Sequence, residues 1–396
     1  MAAAKHPPPT DPVHLAATRD LPISRPERPS LARMRLTPVL ATVAAATFTL
    51  AATPAHAVTT EPDGAFRDPA TYDLAIAHIT DTQYLSQCAN GAGILPAKMK
   101  RCQAIYTGMN QWIVDNAATR KIAYTAHTGD LVDSYWFKTP NLAKGEFSWA
   151  AKAQAVLDDA GMPNGVLPGN HDNARGADSS VYNQFFGPAR YQAASARATQ
   201  PYYQGPWKAG DNSNHVDTFR AGGVDFAVVH LGYQPSDAAL AWADAEIKKR
   251  PRANVIVATH AYLKPGPAPD GVGAPLSDDG ARVRGRVVDP NPNVFLVLSG
   301  HEHGVGRNVR QDAGSPGHQV IELMADYQDY DAGWDGRGHA GFVRLLQMDV
   351  QRGELTVDTF SPSLQSFRSR DYDTKIGRHY SGAEDEFTVP VRLIKG

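Results

Sequence analysis

Short apolar runs rich in β-branched residues set the strongest limit on how this chain can fold. They occupy residues 74–80, 122–128, 165–168, 224–230, 254–259 and 294–299, and each is bounded by polar residues or glycine. Such runs suit strands buried on both faces. Between them, residues 104–116, 148–160 and 238–249 carry apolar side chains at helical spacing. Alternation of this kind predicts an α/β (α+β) fold rather than an all-β sandwich or a helix bundle. Beyond Gly300 the pattern changes: residues 319–325, 341–350, 354–360 and 387–393 alternate and are separated by turn residues. They are predicted as antiparallel strands closing a second sheet. Residues 264–293, rich in Gly, Pro and Asp, are expected to form a long functional loop around a short helix.

The N-terminus differs from the rest. Residues 1–33 hold Pro7, Pro8, Pro9, Pro22, Pro26 and Pro29 among scattered arginines, with no apolar period, and are expected to be a disordered extension. Residues 34–57 have the form of a signal peptide. Arg35 precedes a short Ala/Thr/Leu-rich run that ends in Ala55-His56-Ala57. Pro38 and the threonines make this run too weak for a membrane anchor, which needs about 20 apolar residues. A secreted, extracytoplasmic location is therefore expected, with one domain over residues 58–396. In an oxidising compartment Cys88 and Cys102 can form a disulfide, the alternative being two buried thiols. A net charge of −2 and a pI near 6.7 argue against dedicated nucleic-acid binding. Nothing in the sequence bears on oligomeric state.

The residues directly after each apolar run carry the chemistry. The first run leads into Asp81-Thr82-Gln83, the second into Gly129-Asp130 and on to Asp133, and the third into Gly169-Asn170-His171-Asp172. The run at 254–259 leads into His260, and that at 294–299 into Gly300-His301-Glu302-His303. Ligands of open α/β sheets bind at the carboxyl ends of strands, so these residues should converge. Asp81, Gln83, Asp130, Asn170, His260, His301 and His303 form a mixed oxygen and nitrogen set that suits Zn, Fe, Mn or Co. They are too many for one tetrahedral ion and fit two divalent ions, which activate water and clamp an in-line displacement. Glycines 129, 169 and 300 allow sharp turns and close backbone approach.

The ordered series Asp-x-Gln, Gly-Asp-x-x-Asp, Gly-Asn-His-Asp, a lone His and Gly-His-x-His resembles the calcineurin-like metallophosphoesterases from about Ile76 to His303. Residues 323–328, 341–346 and 361–363 look more loosely like the secreted bacterial branch. The resemblance implies a metallo-dependent phosphatase-like α/β/β/α sandwich with a binuclear site at the strand ends. On that likeness Asp81, Gln83 and His303 hold one ion, Asn170, His260 and His301 the other, and Asp130 bridges. Gln83 departs from the family's usual His, offering only a neutral carbonyl oxygen. The implied activity is hydrolysis of a phosphate mono- or diester on a small-molecule, lipid or cell-wall substrate. The rival is a metal- or phosphate-binding protein on the same fold without turnover.

His171 cannot easily share an ion with adjacent Asn170. It is expected to protonate the leaving oxygen, with Asp172 or a backbone group holding its tautomer. Asp133 reads as an orienting residue or a helix N-cap, and Glu302 as facing away from the ions. His127 and His230 read as structural, and Trp242 as core. Tyr84, Trp136 and Tyr327 are candidates for a substrate pocket, as are Asp326 and Gln328. Substrate choice is expected in the loops at 84–103, 134–147, 173–215 and 264–293.

Overall fold

The computed structural model describes residues 64–91, 93–333, 339–375 and 379–395. The expected extension at 1–33 and leader at 34–57 lie outside the described residues. Strands β1 (Leu74–Ile79), β2 (Ile122–His127), β3 (Asn164–Val166), β4 (Tyr203–Lys208), β5 (Asp211–Ala221) and β6 (Val224–Leu231) are followed by β7 (Asn254–Thr259), β8 (Val294–Ser299) and β9 (Gly304–Arg310). The last four are β10 (Val320–Asp326), β11 (Val343–Asp349), β12 (Glu354–Phe360) and β13 (Phe387–Pro390). The α-helices are α1 (Gln83–Asn90), α2 (Pro96–Asn116), α3 (Pro140–Asp159), α4 (Ser180–Phe186), α5 (Pro188–Ser195), α6 (Asp237–Lys248) and α7 (Asp278–Val283).

Two sheets stack between helical layers. One has the order β13-β12-β11-β1-β2-β3, the other β4-β5-β6-β7-β8-β10-β9. Strand alternation explains the layering. Leu74 and Ile76 of β1 enter the core between the sheets with Phe226, Val228, Ile256 and Leu296. Ala75, Ala77 and Ile79 face the other way, onto Ile105 and Ile113 of α2 and Phe147 of α3. On the far side Leu240, Ala243 and Ile247 of α6 cover Val229, Val255 and Val257. Each buried Leu, Ile or Phe contributes about 1.5–3 kcal/mol. The result is the expected four-layer α/β/β/α sandwich.

Helix ends obey local chemistry. Pro96 and Pro140 open α2 and α3 in the first turn, where a missing N–H costs nothing. The Ser236 side chain accepts from Ala239 N–H to cap α6. Gly91, at φ 79°, ends α1 in the left-handed conformation. The cysteines are joined, Cys88 to Cys102 across Cα atoms 5.9 Å apart, which ties α1 to α2.

The C-terminal strands are arranged differently from expectation. β10 runs parallel to β8, while β11, β12 and β13 extend the first sheet in antiparallel fashion from β1. Strands β4, β5 and β9 carry no apolar signal. In β5 the buried side chains include Asn212, Ser213, Asn214, His215 and Asp217, and Tyr124 donates to Asp217 from the facing sheet.

Candidate metal centre

The C-terminal ends of β1, β2, β3, β7 and β8 meet along one edge of the sandwich. The loops that leave them are laced together by backbone bonds. Asp81 N–H donates to Gly129 O, and Gly300 N–H to His260 O, each at 2.9 Å. Asp81, Asp130 and His301 take left-handed φ values of 51°, 53° and 79°. For residues with a Cβ this costs about 1–3 kcal/mol each. The strain aims three side chains inward. A Cβ on Gly169 would lie 2.1 Å from Asp130 Oδ1, and one on Gly300 2.1 Å from Asp81 Oδ2. Both positions therefore need glycine for close approach, as expected; Gly129 needs it also for its φ of 102°.

Lone pairs gather around His260, which is fully buried. Its Nδ1–H donates to Thr128 O at 2.8 Å, leaving Nε2 to face the site. Around Nε2 lie Asn170 Oδ1 at 2.8 Å, His301 Nδ1 at 3.1 Å and Asp130 Oδ1 at 3.3 Å. Asn170 Oδ1, Asp130 Oδ1 and an unprotonated His301 Nδ1 all offer lone pairs to this point, which either a proton on His260 Nε2 or a cation satisfies. Electrostatics agrees. Burial works against a charged His260, yet Asp130, helped by Asp81 and the Thr128 carbonyl, pushes its pKa up to about 10. Burial also raises Asp130, but His260 and His171 outweigh it and hold the carboxyl below its usual range. Asp81 goes well above its ordinary value through burial and the nearby Asp326. The pocket thus calls for positive charge.

His171 sits at the rim with its ring anchored. Its Nδ1–H donates to the Asp133 carbonyl at 3.0 Å and lies 3.3 Å from the Asp133 carboxylate. Nε2 is 4.0 Å from Asp130 Oδ2, facing the centre. Burial lowers its pKa, but Asp130 and Asp133 together raise it to about 9. The Trp136 ring stacks on it, centroids 4.9 Å apart and planes 28° apart. Glu146, missed in the sequence because residues 134–147 read as a loop, lies in α3 and is fully buried. It accepts from the N–H groups of Asp133 and Ser134, each at 2.9 Å, and so fixes the loop that holds His171.

Several expectations need correction. Asp172 does not reach the His171 ring. Its carboxylate accepts N–H bonds from Gly169 at 2.8 Å, Leu131 at 2.9 Å and Val132 at 3.0 Å, clamping two strand-end loops together. A backbone group, the Asp133 carbonyl, holds the tautomer instead. His303, the expected ligand of one ion beside Asp81 and Gln83, meets two further carboxylates. Its Nε2 lies 3.2 Å from Asp373 Oδ1 and its Nδ1 3.6 Å from Asp329 Oδ2, because the C-terminal segment brings in carboxylates that no local pattern announces. Gln83 is fully buried, with Nε2 donating to Asp130 Oδ2 at 3.3 Å and to Gln328; its Oε1 has no partner. Tyr327 is core, bonded to Arg344 and Asp385. His230, as expected, is structural, stacked on His215 in the interior with centroids 4.2 Å apart. His127 is buried beside the centre, its Nε2 3.0 Å from Thr82 Oγ1. Tyr233, not singled out in the sequence, packs edge-on against His260 and tilted against His301. It also lines a polar cleft of about 240 Å³ with Asn173, Asp178, Trp207 and Asn214.

Residues 74–305 match the family model of the calcineurin-like phosphoesterases. The uncharacterized protein YvnB of Bacillus subtilis is 31% identical over 294 residues, which are 73% of this chain. The chain spans 20% of the length of that relative. Among solved structures, a dimetal phosphatase from Danio rerio aligns with 11% identity and a TM-score of 0.43, over 74% of this chain and 97% of its own. GAP50, the anchor in the inner membrane complex of Plasmodium, aligns with 12% identity and a TM-score of 0.38, over 81% and 89%.

Proposed function

Since the chain belongs to the calcineurin-like phosphoesterases, a family that depends on two metal ions, we propose that it hydrolyses phosphate mono- or diesters outside the cytoplasm, with His171 as general acid. The observation that carries this reading is the convergence of acceptors on His260 Nε2. Asn170, His260 and His301 suit one ion, Asp130 lies where it can bridge, and Asp81 belongs to the other. When bound, the ions supply an activated water and positive charge for the transferring phosphoryl group. Their divalent charges exceed those of Asp81 and Asp130, so the centre attracts an anion.

This chain's own residues do the remaining work. The Asp133 carbonyl fixes His171 Nδ1–H, so Nε2 is the atom that gives a proton to the leaving oxygen. Trp136 and Tyr233 wall the site on two sides, and the cleft beside Tyr233 has room for a polar leaving group. An extracytoplasmic location is supported by the leader-like segment at 34–57 and by the Cys88–Cys102 disulfide. Among the described residues no helix is long and apolar enough to cross a membrane. Chromogenic mono- and diesters, assayed with and without chelator, test the activity. His171→Ala should keep its metal and lose turnover most on esters with poor leaving groups. Equal losses on good and poor leaving groups would remove His171 as the acid, and no turnover by the fully metallated protein would favour a binding role.

A further inference from the structure

The Asp81 side of the centre is poorer in donors than the His260 side. With Gln83 in place of an imidazole and His303 drawn to Asp373, Asp81 is left with the Thr80 hydroxyl at 2.5 Å and His301 N–H at 3.1 Å as its partners. Yet another carboxylate stands beside it. β10 runs parallel to β8 with Met324 opposite Ser299, which puts Asp326, at the end of β10, level with His301 at the same edge. Asp326 is fully buried. It accepts Gln328 N–H and Gln328 Nε2–H, each at 2.8 Å; Gln328 Oε1 accepts from Gln83, and Gln83 donates on to Asp130. One continuous chain of polar groups therefore joins Asp326 to the centre.

Charge makes this arrangement unusual. Other buried carboxylates are neutralised by arginine, Glu322 by Arg284 and Arg310 and Asp385 by Arg344, or, like Glu146 and Asp172, accept N–H groups from the backbone of neighbouring loops. Among the described residues neither Asp81 nor Asp326 has a basic side chain within ion-pairing reach, and the donors that Asp326 meets are the two N–H groups of Gln328. Buried charges are paired or bind metal. The orphaned Gln83 Oε1 is a further oxygen in need of a partner at the same place.

We propose that Asp326 and the side-chain oxygen of Gln83 complete, with Asp81, an oxygen-rich site for a hard divalent ion such as Mn²⁺ or Mg²⁺. This rests on the two-ion reading and makes the halves of the centre chemically unlike. Asn170, His260 and His301 offer two nitrogens and one oxygen, a set that suits Zn²⁺ or Fe²⁺. The Asp81 side offers oxygens alone, the preference of hard ions. Asp326 supplies the negative charge and the extra donor that a neutral amide at position 83 does not.

The test is metal binding by the full chain stripped with chelator. Mn²⁺ is titrated by calorimetry and bound ions are counted by elemental analysis. Asp326→Asn should weaken the Mn²⁺ site by at least about 100-fold while the other ion stays bound, a larger loss than the 10–100-fold typical of a residue that merely orients a ligand. A smaller loss overturns ligation by Asp326. Adding Gln83→His to Asp326→Asn should restore a second ion, now with Zn²⁺ preferred over Mn²⁺; a variant that had simply misfolded would not be rescued. Failure of that rescue in a folded double variant overturns the exchange of roles between positions 83 and 326. If the unaltered chain binds two ions and Asp326→Asn changes nothing, this inference alone fails. If the unaltered chain binds none, the two-ion reading fails with it.

Discussion

Replacing Asp172 by alanine separates its structural role from the catalytic one its place beside His171 suggests. The carboxylate is fully buried and accepts from three backbone N–H groups, those of Gly169, Leu131 and Val132. Orphaning a buried donor costs about 1–3 kcal/mol, so the three together lose about 3–9 kcal/mol. Part of that returns, because burial and the charge of Asp130 disfavour the ionised carboxylate and push its pKa up to about 7. A net loss of about 3–5 kcal/mol is expected, a large share of the roughly 5–15 kcal/mol that holds a typical domain. Urea unfolding should be measured in chelator, so that metal does not mask the difference. In the folded variant the loops carrying Asp130 and Asn170 are no longer clamped, and ion affinity should fall about 10–100-fold. Asp172→Asn, which keeps one acceptor, should fall between. If Asp172→Ala unfolds within about 1 kcal/mol of the parent and keeps its metal but loses turnover, the clamp is wrong and Asp172 serves His171 after all.

Trp136→Ala should free the His171 ring and lower turnover about 10–100-fold on esters with poor leaving groups, with Trp136→Phe close to the parent; equal behaviour of the two variants would deny the stack a positioning role. Replacing Cys88 and Cys102 together by alanine should cost about 3 kcal/mol in unfolding experiments, since the bond closes a loop of 14 residues. Glu384, buried beside Asp385, has its pKa pushed up to about 8. Its folded form therefore holds a proton that the unfolded chain releases near pH 4.5, so its contribution to stability is present below that pH and declines up to about pH 8, by at most about 1.4 kcal/mol per pH unit. Glu384→Gln should flatten this slope; an unchanged slope between pH 5 and 8 would assign it to other groups.

The central strands and their terminal residues were legible in the sequence because both obey local rules. Residues 255–258 and 294–298 are apolar without interruption, and β7 and β8 follow the expected limits 254–259 and 294–299. Asp130, Asn170, His260 and His301 each come just after a strand, so their convergence needs only a parallel arrangement. The features that stayed hidden depend on distant partners. Asp373, 70 residues beyond His303, redirects that ring. Glu146 acts 13 residues from Asp133 through backbone N–H groups, which leave no trace in side-chain pattern. Polar β5 reads as loop because its buried Asn and Asp side chains find partners on distant elements, Asn212 on Phe186 O and Asp217 on the Tyr124 hydroxyl.

The left-handed backbone at Asp81, Asp130 and His301 was also invisible, and it bears on why the site is built as it is. Glycine would adopt those φ values without cost but could supply no ligand. The chain keeps a side chain at each position and accepts strain of about 1–3 kcal/mol apiece. Glycine stands instead at neighbouring positions 129, 169 and 300, where a Cβ would collide with Asp130, Asp81 or the His260 ring. Ligand and glycine therefore alternate along the loops, one for chemistry and one for room. Strain and unneutralised carboxylates both weigh against the ion-free fold, and ion binding neutralises the carboxylates and offsets the strain. Adding Mn²⁺ or Zn²⁺ to the stripped protein should consequently raise its unfolding midpoint in a concentration-dependent way. Asp81→Gly should be more stable than the parent in chelator and lose that advantage once metal is added. An Asp81→Gly variant less stable than the parent in chelator would show that the φ of 51° is not strained, and that the carboxylate contributes to the ion-free fold through its bonds to Thr80 and His301.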